Sequence, residues 1–349
     1  MENIIIRADG SSQMGSGHVM RSMALAQQLI CAGHQIHFIT NVQGEFLQRL
    51  KEEKVFVYPS FNGVKWEEEK DLDWVKEIAK DWGVNWIITD GYHFETHYQA
   101  SLKRADLKVM CIDDIAACHY VADIVLNQNI SADEQMYTKE DYTKLLLGPE
   151  YSLIRSDILE AAQDYQRKIA DDVKNVLISM GGADPENMTL LVLKVLESMK
   201  LEGLKINVLV GMFNPHYQVL LDACKNKNVE MIRNARSELP ELMKQCDVAI
   251  TAGGSALWEF ALFSTPLLTT VIAENQRLLV KKMADIGAVE SLGDKKEIVD
   301  MNLTVKKIQQ VFQSRVKREQ LAFNIHRLVL KRKIRDIIDV IEGNLCIGV

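Results

Sequence analysis

Apolar residues along this chain recur in two periods, and the switch between them repeats. Short runs of strand length, "NIIIRA" (3–8), "IHFIT" (36–40), "VFVYP" (55–59), "WIITD" (86–90) and "KVMCIDD" (108–114), alternate with longer segments of helical spacing. In 18–32 the residues Val19, Ser22, Met23, Leu25, Ala26, Leu29 and Ile30 form one helical face, and further helices are predicted near 43–52, 71–82 and 95–104. That is the strand–helix–strand rhythm of a parallel, doubly wound sheet. A polar, charged stretch at 156–172 interrupts it, and then it restarts. "VKNVLISM", "KINVLVG", "VEMIR", "DVAIT" and "PLLTTVI" read as strands, with a helix at 187–200.

The pattern predicts an α/β protein of two Rossmann-like domains, 1–165 and 166–314, followed by a helical tail, 315–349. In the tail Leu321, Ile325, Leu328, Ile334, Ile338 and Ile341 fall near helical spacing, which gives one or two helices. Lys317, Arg318, Arg327, Lys331, Arg332, Lys333 and Arg335 make it basic. Two readings are open: a docking helix with a solvated charged face, or peripheral contact with an anionic membrane surface or another protein of the same pathway.

Composition narrows the function classes. The 349 residues carry a formal charge of −7, which argues against a general nucleic-acid binder. The start, "MENIIIRADG", lacks the basic region and long apolar stretch of a secretory signal, and no run reaches the roughly 20 apolar residues of a membrane span. The six cysteines, at 31, 111, 118, 224, 246 and 346, are scattered without a Cys-x-x-Cys. A cytoplasmic protein with reduced thiols is the expectation.

Candidate chemistry clusters where strands give way to helices. "GSGHVMRS" (15–22) follows the first strand, and its Gly-x-Gly turn aims backbone N–H groups and a helix N-terminus above the sheet. A dinucleotide fingerprint needs glycine where Met20 stands, and the Gly-Lys-Ser/Thr of a Walker loop is absent. What remains is a turn presenting His18, a residue type suited to general-base work on water, at the edge where open α/β folds bind ligands. The alternative is that His18 only caps or packs. In "TAGGSALWEFALFSTPLLTTVIAENQ" (251–276), Gly253 and Gly254 form a close-approach turn, Ser255 starts a helix suited to a diphosphate, and Glu259 can accept ribose hydroxyls. Asn275 and Gln276 offer amide groups at the next strand end. Gly182, in "SMGGAD", reads equally as a turn glycine or a phosphate contact, and Asp90 and Tyr92, in "TDGYHFETH", are placed on the sugar side. His93 and His97 have i, i+4 spacing, but Glu95 is misplaced for His-Glu-x-x-His and no third ligand is evident, so no metal is expected. Asp113 and Asp114 are adjacent and are not expected to face one substrate together.

Together "RADGSSQMGSGHVMRSMALAQQL", "ITDGY", "CIDDI", "LLGPEYSLIR", "ISMGGAD" and the 251–276 stretch resemble the UDP-sugar hydrolases of pseudaminic acid biosynthesis and related spore coat polysaccharide proteins, over about 1–285. The resemblance implies the GT-B fold, two Rossmann-like domains facing across a cleft. It also implies hydrolysis of UDP-2,4-diacetamido-2,4,6-trideoxy-β-L-altropyranose to UDP and free sugar with inversion at C1, and no cofactor. On that resemblance His18 is the base on water, Tyr92 lies near the sugar, Glu259 is the ribose-binding glutamate, and Asn275 and Gln276 are cleft residues; Gly17 is a further substrate-binding candidate. A GT-B glycosyltransferase working at a membrane face is the alternative.

Overall fold

The computed structural model describes residues 1–60, 66–225 and 228–344; Cys346 lies outside them. They form two compact units. One comprises 1–10, 18–156 and the tail from 332; the other comprises 11–17 and 157–331.

The first unit is built on a seven-stranded sheet: β1 (Asn3–Ala8), β2 (Gln35–Thr40), β3 (Phe56–Pro59), β4 (Trp86–Asp90), β5 (Lys108–Ile112), β6 (Ile124–Asn127) and β7 (Lys144–Leu147). Its order is β3-β2-β1-β4-β5-β6-β7, and every pairing is parallel. Ile4, Ile5 and Ile6 are fully buried because a parallel strand is covered on both faces. The helices α1 (Gly17–Cys31), α2 (Gly44–Lys51), α3 (Glu68–Trp82) and α4 (Thr96–Lys103) fall where the apolar period changes from two to about 3.6. Of the face read for α1, Val19, Ser22, Met23, Leu25, Ala26 and Leu29 are buried, while Ile30 is only half-buried. The order reverses between β1 and β4, the switch point where side chains beyond two strand ends converge. Ala8 pairs with Asp90 and Asp90 with Ile112, so the residues after β1, β4 and β5 share one edge.

The second unit repeats the plan with six parallel strands: β8 (Asn175–Ser179), β9 (Lys205–Val210), β10 (Val229–Arg233), β11 (Val248–Ala252), β12 (Leu267–Thr270) and β13 (Glu290–Gly293), in the order β10-β9-β8-β11-β12-β13. Its core gathers Val176, Ile178, Val208, Val248, Ile250 and Leu268 from the sheet and Met188, Val192 and Leu196 from α5 (Met188–Ser198). The helices α6 (Ala256–Leu262) and α7 (Arg277–Asp285) follow β11 and β12. Arg167, in the stretch read as merely polar, donates to the carbonyls of Phe263, Cys246 and Met243 at 2.6, 2.6 and 2.5 Å, tying that stretch to the unit.

The tail contains two helices, α8 (Arg315–Arg327) and α9 (Ile334–Ile341). Its basic residues are not all on a charged face, as the sequence suggested. Arg318 is fully buried and donates to the carbonyls of Val311, Phe312, Ala170 and Asp171. Lys317 pairs with Glu290 at 2.9 Å. In the first unit Arg332 donates to the Ser152 carbonyl, and the Trp86 indole donates to the Ile341 carbonyl at 3.1 Å. Among the described residues no helix is long and apolar enough to cross a membrane.

Candidate functional site

The first turns of α1 place His18, Arg21 and Ser22 at i, i+3 and i+4, hence on one face. That face lies over the end of β4, and all three side chains meet Asp90. His18 Nδ1 is 2.6 Å from Asp90 Oδ1, which also accepts from Arg21 Nη2 at 2.7 Å. Asp90 Oδ2 accepts from Arg21 Nε at 2.7 Å and from the Ser22 hydroxyl at 3.0 Å. Asp90 has no exposed surface and His18 retains 6 %. A carboxylate so enclosed stays charged only if it is compensated. Burial would raise its pKa, but the Arg21 charge, and after it His18, outweigh burial and hold the carboxyl at about 2. Asp90 therefore does not line a sugar site, as the sequence suggested; it lies behind His18.

Arg21 reaches a second carboxylate, donating from Nη1 to Asp114 Oδ1 at 2.5 Å. Burial opposes the charge on both, and each is held ionised by the other. Asp114 also accepts from Asn129 at 3.2 Å and from the Tyr92 hydroxyl at 3.1 Å. Burial, and then Asp114, push the Tyr92 phenol far up, so it remains a donor. The Tyr92 ring meets His18 edge-on with centroids 4.9 Å apart, yet 41 % of the residue is exposed. His18 and Tyr92 are thus brought together, and Gly17 sits exposed at the start of α1. Asp113 turns elsewhere, accepting from Tyr137 at 2.9 Å and from the Ala116 N–H. The two adjacent aspartates do different work, as their alternation predicts.

A second buried network lies along the same edge. Arg7, fully buried, bonds Asp9 at 2.5 Å and Asp71 at 3.0 Å, and Tyr98 donates to Asp71 at 2.7 Å. Contrary to the expectation that the sequence supplies no Asp-x-Asp for a divalent ion, Asp71 and Asp73 have that spacing. Asp71 is fully buried and committed to Arg7 and Tyr98. His93 lies 3.5 Å from Asp9, and His97 pairs with Glu68, so the two histidines have separate partners. Among the described residues no group of three metal-ligating side chains occurs.

In the second unit the candidate residues are mostly backbone. Thr251 pairs with Ser179 in register, so the turns after β8 and β11 emerge side by side. Gly181 has φ +73°, where a side chain is strained. Gly182 is held instead by close approach: a Cβ there would lie 2.3 Å from Ser16 Oγ, and one on Gly211 would lie 2.4 Å from the Gly182 carbonyl oxygen. Asp184 caps α5 by accepting from the N–H groups of Met188 and Thr189. A Cβ on Gly253 would sit 2.3 Å from Val280 Cγ2 on α7. The Gly253 and Gly254 N–H groups bond the carbonyls of Thr270 and Ala252. Those two donors are used within the turn, and the N–H groups of Leu257 and Trp258 bond the carbonyls of Gly254 and Ser255 at 3.0 and 3.2 Å. Gln276 accepts from the Ile272 N–H through Oε1 and lies beside both glycines; Glu259 and Asn275 are half-buried.

Arg21, Ser22 and Asp114 are the site residues that sequence reasoning missed. The signal was there for two of them: Arg21 and Ser22 stand three and four residues after His18 on a predicted helix.

No family model matches the chain. It is 26 % identical over 294 residues to the spore coat polysaccharide biosynthesis protein SpsG of Bacillus subtilis, covering 82 % of this chain and 83 % of that protein. It is 24 % identical over 297 residues to the UDP-2,4-diacetamido-2,4,6-trideoxy-beta-L-altropyranose hydrolase of Campylobacter jejuni, covering 81 % and 97 %. An uncharacterized protein of Methanocaldococcus jannaschii is 27 % identical over 288 residues, 78 % of this chain, but the match spans only 56 % of that relative's length. The fold is that of GT-B glycosyltransferases. Acinetobacter baumannii MurG superposes with TM-score 0.63 at 15 % identity, covering 98 % of this chain and 100 % of MurG. S. aureus MnaA with UDP gives 0.68 at 11 %, covering 99 % and 98 %. The resemblance read from the motifs and the fold expected from it are both borne out.

Proposed function

We propose that this chain is an enzyme acting on a UDP-sugar in pseudaminic acid or surface polysaccharide biosynthesis, and that it is a hydrolase. The substrate is a UDP-linked 2,4-diacetamido-2,4,6-trideoxyhexose. The names of the Bacillus and Campylobacter relatives support the pathway and the substrate class. One observation carries the hydrolytic reading: His18 at the start of α1, its Nδ1 2.6 Å from a buried carboxylate. Among the described residues no hydrogen bond to its Nε2 is found, so that nitrogen can serve as a base.

In the proposed reaction His18 Nε2 takes a proton from water as the water oxygen bonds to C1. The bond from C1 to the diphosphate oxygen breaks with its electron pair leaving on UDP, which inverts C1. His18 then releases its proton to solvent. Tyr92, exposed beside His18, contacts the sugar. The start of α6, with Glu259, Asn275 and Gln276, takes the nucleotide, and the helix dipole offsets the leaving charge.

The fold likeness to glycosyltransferases favours a second reading, transfer of the sugar to an acceptor. NMR that follows C1 separates the two. Purified protein with the UDP-sugar alone should yield UDP and free sugar of inverted configuration, in EDTA as well as without it. UDP-sugar left intact until an acceptor is added would overturn the hydrolase reading.

A further inference from the structure

The carboxylate behind His18 is met by Arg21 Nε and Nη2, the Ser22 hydroxyl and His18 Nδ1. An ionised carboxylate can only accept, and Asp90 is kept ionised by Arg21. At 2.6 Å from Asp90 Oδ1, His18 Nδ1 must therefore carry a hydrogen; two lone pairs at that distance would repel. The alternative, in which Nδ1 accepts from Arg21 Nη2 at 3.2 Å, leaves that repulsion in place. Only one tautomer fits, with Nδ1 protonated and the lone pair on Nε2.

We infer that Asp90 is a positioning residue for His18, and that Asp114 holds the arrangement at one remove by fixing Arg21. Asp90 acts by selecting the tautomer in which Nε2 can accept a proton, and by fixing the ring plane against the Tyr92 edge. When Nε2 takes its proton the ring becomes an imidazolium, and Asp90 accepts from Nδ1–H throughout. Arg21 keeps Asp90 from rotating: its Nε and Nη2 grip both carboxylate oxygens in the planar, two-pronged manner that only a guanidinium offers. Asp114 takes the remaining Nη1 and, on its other oxygen, the Tyr92 hydroxyl. A sugar that moves Tyr92 therefore acts on the same chain of bonds that orients the base. The sequence gives no direct view of this chain, because Asp90 ends β4 and Asp114 follows the end of β5.

This inference rests on the reading of His18 as the base, so its test begins with a measurement that needs no substrate. Proton–nitrogen correlation NMR of the full chain labelled with 15N-histidine should show His18 with Nδ1 protonated and Nε2 bare. A wild-type His18 protonated on Nε2 and bare on Nδ1 overturns the inference, whatever the protein's activity proves to be. Asp90→Asn should redistribute the tautomers and lower kcat by about 10²–10⁴-fold, with KM changed far less. It should also move the acid limb of the kcat/KM profile, which a purely structural loss would scale without displacing. Asp114→Asn keeps the Asp90 contact intact. It should preserve the tautomer, lower kcat less than Asp90→Asn does, and raise KM through Tyr92. An Asp114→Asn protein with wild-type kcat and KM, or an Asp90→Asn protein as active as wild type, refutes the assignment. If Asp90→Asn fails to fold, the wild-type tautomer and the Asp114→Asn pair decide it.

Discussion

At the edge of the first sheet His18, Arg21, Asp90, Asp114 and Tyr92 hold one another through side-chain bonds, whereas at the matching edge of the second sheet glycines set the geometry. Both edges follow the same topology, with the order reversing at the first strand of each sheet. On the proposed function the difference lies in what each must do. Acid–base chemistry needs titratable groups fixed to a fraction of an ångström, and a buried network supplies that at the risk of stranding a charge. Holding a diphosphate needs a close backbone and a helix end, and glycines supply that at the risk of overpacking.

Substitutions can break this contrast one edge at a time. The largest effect belongs to His18→Gln, which keeps a polar group but removes the proton acceptor. Turnover should fall by about 10²–10⁴-fold while UDP affinity, measured by calorimetry, stays near wild type. A variant that turns over normally, or that chiefly loses UDP, would make the first edge structural or phosphate-binding. At the second edge Glu259→Ala should weaken UDP binding by about 1–3 kcal/mol, the scale of hydrogen bonds to a charged group. Unchanged affinity would remove Glu259 from the site.

Two smaller effects probe stability. Gly253→Ala would drive a methyl group to 2.3 Å from Val280 Cγ2 and should cost about 1–3 kcal/mol in denaturant unfolding. Gly254→Ala meets only Gln276 Nε2 at 3.9 Å and should stay within about 0.5 kcal/mol of wild type. Equal losses at the two positions would deny that packing against α7 selects the first glycine. At the charged edge the probe is pH. The Asp90 carboxyl sits at about 2, against 3.8 when unfolded. Its contribution is complete above the unfolded value and is lost as pH falls through 3.8 toward 2. The stability difference between wild type and Asp90→Asn, followed by urea melts on descending pH, should narrow only below about pH 4. A gap that closes near neutrality would mean that another group titrates.

Ten strands and the longer helices were legible because each shows its period, and the GT-B fold followed from the motifs at their ends; β6, β7 and β13, four residues each, were not read. His18 and Tyr92 were legible as neighbours of strand ends. The role of Asp90 was not: whether a strand-end carboxylate faces solvent or lies under a helix depends on β4 pairing with β1 across some 80 residues of sequence. Arg167, Arg318 and Asp71 were opaque for a related reason. A charge in a sequence reads as solvated, and nothing local reveals that Arg318 will meet four carbonyl groups in the interior. Gly182 was nominated for a phosphate or a turn, and the structure shows a third constraint, the crowding by Ser16 and Gly211, set by loops remote in sequence.

The docking of α9 on the first unit has a consequence for synthesis. The ribosome delivers the first sheet early, but Ile337, Ile338 and Ile341, all buried, emerge only after every strand of the second unit has been made. The second unit, nearly continuous in the chain, can close while the first still waits for the helix that covers its Trp86 indole. A nascent chain stalled before residue 332 would therefore carry a finished second half and an unsealed first half, and that unsealed surface is where a chaperone would find it.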